Sequence, residues 1–218
     1  MIQQLTIDSP RRNSERGFSV IEILIVVAII TIMSAVAIPY VYSYRKLYKS
    51  EEQSLKVIDL MREANQMALN RRRTIRLELD MTRNAILLID EGSVPAKLVK
   101  AIPLEQPGTL RMDVAPAGIT IPDPPKYDTA VFANDAIGHM DGDTPVINNR
   151  VWAAKFKSDG SVTNATGTPI SATIFVFPAT SSTSDTPTDT RQVRAVTIYG
   201  GSGAVRYWKF NGTTYAAG

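Results

Sequence analysis

One carboxylate stands where a carboxylate is expensive. Glu22 is the sole charged side chain between Phe18 and Ile38. An acid in hydrocarbon costs ~2.5–3.5 kcal/mol on insertion scales, so it is normally paired or functional. The chemistry open to it is ion pairing with an amine; the plainer alternative is an acid that is protonated or snorkels to the headgroups. A second group lies near the carboxyl end, where Arg191, Arg194, Arg206 and Lys209 are interleaved with Tyr199, Tyr207 and Trp208. Basic and aromatic side chains on one exposed face bind DNA through phosphate contacts and stacking. The plainer reading packs Tyr207 and Trp208 into a sheet whose outer charges only solubilise it. A third group is the lone His139 beside Asp135, Asp141 and Asp143. Its Asp-Gly-Asp-Thr run lacks the spacing and terminal Glu of an EF-hand loop, so a solvated turn is expected rather than a calcium site. One histidine in a loop gives poor support for a Ser-His-Asp triad, and the absence of cysteine excludes the usual zinc sites. Gly200-Gly201-Ser202-Gly203 lacks the following helix that a phosphate loop needs and reads as a turn. No catalytic residue, metal ligand or cofactor is expected.

The element that must position Glu22 is an apolar rod. At about 1.5 Å per residue, residues 18–38 make a helix of roughly 30 Å, the thickness of a bilayer's hydrocarbon core. A secretory signal has a shorter apolar core with its small-residue cleavage site afterwards. Here the small residue, Gly17, comes first, preceded by Arg11, Arg12 and Arg16. Cleavage at Gly17–Phe18 would remove only the charged leader and leave the helix on the mature chain, with Glu22 one turn from the new amino terminus.

Gly17-Phe18-Ser19-Val20-Ile21-Glu22, followed by an aliphatic run closing on Ile38-Pro39, resembles the class III signal of type IV pilins and type II secretion pseudopilins. The resemblance implies cleavage by prepilin peptidase after Gly17 and N-methylation of Phe18. It also implies assembly with other pilin or pseudopilin subunits through an inner-membrane platform. Glu22 would then meet the amino terminus of Phe18 in a neighbouring subunit and set the stagger of the helices. The implied location is a single pass through the inner membrane with the head in the periplasm, followed by transfer into a pilus or pseudopilus filament.

The remaining chain is read as α+β, a long amino-terminal helix packed on an antiparallel sheet or sandwich head. The expected divisions are a leader at 1–17, a membrane and filament-core helix at 18–38, an amphipathic stem at 39–73 and a β-rich head at 74–218. Pro39 predicts a bend or loosening at Ile38. The stem then carries a stripe of Leu47, Leu55, Ile58, Met61, Asn65 and Ala68, with Glu51, Glu52, Lys56, Arg62 and Glu63 opposite. Residues 39–73 hold eight Lys/Arg against four Asp/Glu, whereas 74–218 hold thirteen against fourteen. Arg71-Arg72-Arg73 suits the helix's carboxyl end or else an anionic partner.

From Thr74 the period changes to two, and Ile75–Asp80 with Ala85–Ile89 reads as a hairpin. Further strands are expected at 96–104, 109–114, 151–157, 170–177, 192–199 and 204–210, with long loops at 115–149 and 178–190. Phe156-Lys157-Ser158-Asp159-Gly160, then Arg194-Ala195-Val196-Thr197-Ile198 and the glycine turn before Ala204-Val205-Arg206, is similar to the minor pseudopilin H and FimT-like group. Some FimT-like pilins take up DNA through a Gly-Arg-x-Arg motif. The corresponding Gly203-Ala204-Val205-Arg206 lacks one of the two arginines. The expected function is therefore a structural minor pilin or pseudopilin and not an enzyme, with a DNA-binding minor pilin as the alternative.

Overall fold

A computed structural model describes residues 18–105, 110–134 and 137–218. Its architecture is α+β, and it divides into two compact units, one ending at Tyr44 and the other running from Arg45 to Gly218. Helix α1 spans Val20–Arg71, so helical backbone continues through position 39. Thirteen strands follow among the described residues: β1 (Ile75–Asp80), β2 (Ala85–Asp90), β3 (Lys97–Pro103), β4 (Leu110–Arg111), β5 (Ala133–Asn134), β6 (His139–Asp141), β7 (Thr144–Val146), β8 (Arg150–Phe156), β9 (Val162–Thr163), β10 (Ala172–Pro178), β11 (Arg194–Tyr199), β12 (Ala204–Phe210) and β13 (Tyr215–Ala217). One sheet has the order β5-β8-β1-β2-β3-β6-β7, with β9 beside β8; the other has the order β13-β12-β11-β10-β4. Pairing is antiparallel except where β6 joins β3 in parallel at Lys97 and Met140.

In the second unit, the stem's buried stripe is Ser50, Ser54, Val57, Met61, Ala64 and Ala68, flanked by Gln53, Ile58 and Leu60. These recur at helical spacing and close on the inner faces of both sheets: Ile75, Leu77, Leu79, Trp152 and Phe156 from one, Ile174, Val176, Val196 and Ile198 from the other. Leu55, expected in the stripe, is 44% exposed. The apolar residues alone do not give the angle, because Ser50, Gln53 and Ser54 occupy the buried face, where Gln53 and Ser54 bond to backbone groups. Ser54 Oγ donates to the Ser50 carbonyl at 2.6 Å, and Gln53 Oε1 accepts from the Glu105 amide at 2.8 Å.

Arg76, Glu78 and Asp80 alternate with the apolar residues of β1, and all three are fully buried. Part of the expected loop at 115–149 forms β5, β6 and β7 and joins the sheet carrying β1. Arg76 reaches Glu78 at 3.1 Å and Glu91 at 3.2 Å, and Lys155 reaches Glu91 at 2.9 Å. Arg76 Nη2 also donates to the Gly138 carbonyl. Buried charges persist only when paired in this way. His139, expected in a solvated turn, is likewise buried, with Nδ1 3.6 Å from Glu78 Oε2.

The helix ends on a left-handed residue. Arg72 has φ 51°, and the Arg73 amide donates to the Ala68 carbonyl at 3.3 Å, the wide bond of a Schellman cap. Arg71 and Arg73 both approach Asp90, at 3.9 and 3.5 Å. At the β11–β12 turn, a Cβ on Gly200 would stand 2.2 Å from the Ile170 carbonyl oxygen, so only glycine fits there.

Candidate functional site

The first helical hydrogen bonds close on the backbone of Ser19. Its carbonyl accepts the amides of Glu22 at 3.0 Å and Ile23 at 3.2 Å, which puts Ser19 at the N-cap and Val20 at the first helical position. Glu22 then falls three residues past the cap, in the first turn. That is the Ser-x-x-Glu spacing of a capping box, and it sets a carboxylate near the positive end of the helix dipole. This role for Ser19 went unread in the sequence, although the four-residue pattern was legible. Phe18 precedes the helix and is 78% exposed; Gly17 lies outside the described residues.

Val20–Ile38 is long and apolar enough to cross a membrane, with mean hydropathy 2.8 and none of the span buried. Within it, the Thr31 hydroxyl donates to the helix's own Val27 carbonyl at 2.8 Å. Water tolerates contiguous apolar surface poorly beyond a few hundred Å², so this helix requires lipid or other helices around it. Glu22 is the only charge within that surface. The arrangement therefore offers an apolar contact face with one carboxylate in its first turn.

The carboxyl-terminal cations are separated by the fold. In β11 and β12, Arg194 lies opposite Lys209, and Thr197 opposite Arg206. Arg194 and Lys209 share the face turned to the stem, where Lys209 meets Glu51 at 2.6 Å and Arg194 meets it at 3.7 Å. Arg194 is 7% exposed and also donates to the carbonyls of Arg191 and Val193. Tyr207, on this same face, has its phenol pushed up to about 12 by burial. Arg206 points the other way, with its guanidinium 5.4 Å from the centre of the Trp208 ring. Arg191 lies outside both strands, in the short helix Thr190–Gln192. The four cations thus do not form one face. The parity of positions 206 and 209 within a single strand already carried this signal.

The second unit also carries surface grooves. One of about 430 Å³ is lined by Val131, Ile137, Trp152 and Ile170, with Asp128 and Asn164 at its polar points. Another, about 320 Å³, is lined by Tyr127, Thr197, Tyr199 and Arg206. Among the described residues there is no group of three His, Cys, Asp or Glu that could hold a metal ion.

Residues 12–38 match the family described as the prokaryotic N-terminal methylation motif. No curated protein and no solved structure matches the chain. The matched residues support a type IV pilin-like precursor that prepilin peptidase processes and that assembles with pilin subunits. They also suggest a structural subunit rather than an enzyme, and the apolar helix is consistent with a single amino-terminal membrane anchor.

Proposed function

We propose that this chain is a minor pilin or pseudopilin of the H or FimT-like group, a subunit of a type IV pilus or type II secretion pseudopilus. The observation that carries the reading is the methylation motif lying on a helix whose apolar span is wholly uncovered. Cleavage after Gly17 exposes the amine of Phe18 one turn from Glu22. In the membrane, lipid surrounds the helix; in the filament, neighbouring helices replace that lipid. Glu22, unpaired in lipid, finds the amine of a neighbour and fixes the stagger. Pro39 marks the exit from the apolar span. The head, 74–218, stands in the periplasm and displays its loops.

The DNA-uptake reading draws on fewer cations than the sequence offered. Arg194 and Lys209 meet Glu51 on the stem side, so Arg191 and Arg206 would have to carry it. The test of the filament reading is Glu22→Ala in cells that produce the assembly machinery. The variant should insert into the membrane as the parent does and be depleted from sheared filaments. Normal incorporation would remove the pairing role.

A further inference from the structure

The larger sheet has a break in one edge. β8 pairs with β1 along one side, from Val151 to Phe156. On its other side it pairs with β5 at Arg150 and Val151, and with β9 at Lys155 and Phe156. Among the described residues, Trp152, Ala153 and Ala154 have no strand partner on that side. The Arg150 carbonyl accepts the Met81 amide at 2.9 Å, which places it on the β1 side. Backbone groups alternate in direction along a strand, so Val151, Ala153 and Lys155 turn theirs the other way. Val151 meets β5 and Lys155 meets β9, while the N–H and C=O of Ala153 face the break.

Neither flank closes it. Before β5 the chain is committed to the other sheet: the Ala130 amide donates to the Thr173 carbonyl at 2.8 Å, and the Thr173 amide donates to the Asp128 carbonyl at 2.8 Å. After β9 the chain turns on Asn164, whose Oδ1 accepts the amides of Thr166 at 3.0 Å and Thr168 at 2.9 Å. The break opens onto the groove of about 430 Å³, where Trp152, Ala153 and Ile170 lie beside the exposed Val131 and Ile137. Asp128 is the one charged residue among those lining this groove. Its side chain is exposed and has no cationic partner among the described residues.

We infer that this groove takes a short, extended, basic segment of another protein by strand addition to β8. One residue of the segment exchanges both backbone bonds with Ala153. Residues opposite one another in a ladder share a face, so the two neighbours of that residue fall on the side of Trp152 and Ala154, which belong to the core. Apolar side chains there enter beside Trp152 and Ile170, and a Lys or Arg further along reaches Asp128. Strand addition draws affinity from the main chain and specificity from pockets for alternate side chains. The fixed flanks hold the slot open beforehand, which lowers the ordering cost of binding. Nucleic acid is a poor occupant, because its affinity comes from cations that neutralise phosphates and the lining residues include none.

The contact goes beyond the filament reading and lies wholly within the head, so its test does not depend on whether the helix enters a filament. The full chain is labelled with fluorotryptophan in detergent micelles; its two tryptophans, Trp152 and Trp208, report separately, with Trp208→Phe assigning the signals. The probe is the peptide Ile-Thr-Ile-Lys, acetylated and amidated at its ends. It should shift the Trp152 resonance saturably, with a Kd below about 1 mM, and leave Trp208 in place. N-methylation of the peptide's threonine amide, which removes the donor to Ala153, should weaken binding at least about tenfold. Asp128→Lys should weaken it by a similar factor, and the peptide Ile-Thr-Ile-Glu should restore binding to that variant. The Asp128 side chain makes no bond that the fold needs, so this variant keeps the parent spectrum. No saturable Trp152 shift up to about 5 mM peptide, equal binding of the N-methylated peptide, or indifference to the sign of charge would overturn the contact. So would a Trp152 shift produced by a short single-stranded DNA.

Discussion

Replacing Glu51 by Gln removes an anion that faces both Arg194 and Lys209. Lys209 Nζ lies 2.6 Å from Glu51 Oε1, and Arg194 Nη2 lies 3.7 Å from Oε2. The two cations differ in environment: the Lys209 side chain is 45% exposed and that of Arg194 is 9% exposed. An exposed pair is worth about 0–1 kcal/mol, whereas stripping the partner from a buried charge costs about 3–5 kcal/mol. Arg194 keeps its bonds to the carbonyls of Arg191 and Val193, and Glu51 is itself partly solvated. The expected loss is therefore intermediate, about 1–2 kcal/mol. Urea unfolding of the full chain in detergent micelles, followed by tryptophan emission, should show a lower midpoint with unchanged slope. In a Lys209→Met background the same change should cost less, by a coupling of about 0.5–1 kcal/mol. A loss below ~0.3 kcal/mol, within the range of an ordinary surface substitution, would refute the clasp. Arg194 and Lys209 would then be available to a partner such as DNA.

Other outcomes follow from the same physics. Burial pushes the Asp113 carboxyl up, but the Arg111 hydrogen bond and the charges of Arg111 and Arg150 prevail and hold it below the usual range. Its stabilisation is complete above the unfolded value of about 4 and lost as pH falls through the lower folded value; Asp113→Asn should therefore flatten the acid limb of the stability profile. Arg72→Gly should raise stability by about 0.5–1 kcal/mol in urea melts, since glycine adopts φ 51° without a Cβ clash. Gly200→Ala should lower it by about 1–3 kcal/mol, because the added carbon meets backbone that cannot yield.

What could be read beforehand was whatever a local rule determines. The β1–β2 and β11–β12 hairpins were legible because a period of two met a turn signal on each occasion, and the structure pairs them in register. The apolar helix was legible from length and composition alone. Residues 137–146 were not, because Pro145, Gly138 and Gly142 spoke for a loop. Their strands depend instead on Lys97 pairing with Met140 and on the charges of Arg76 and Glu78 beneath. Leu55 falls outside the stripe because the fully buried Ser50 and Ser54 occupy the face that packs on the sheets. The carboxyl-terminal cations were grouped by composition, although strand parity separates Arg206 from Lys209. At the amino terminus, Glu22 stood out as a lone charge and Gly17 as a small residue ahead of the apolar run, while the Ser19 carbonyl that accepts the first helical amides carried no such signal.

The central claim is that a leader is removed so that an apolar helix can leave lipid for a filament. The most direct measurement is the intact mass and amino-terminal sequence of the chain isolated from cells that contain prepilin peptidase. The account predicts a mature protein beginning at N-methylated Phe18. A chain still beginning at Met1, or cut anywhere other than between Gly17 and Phe18, would contradict it.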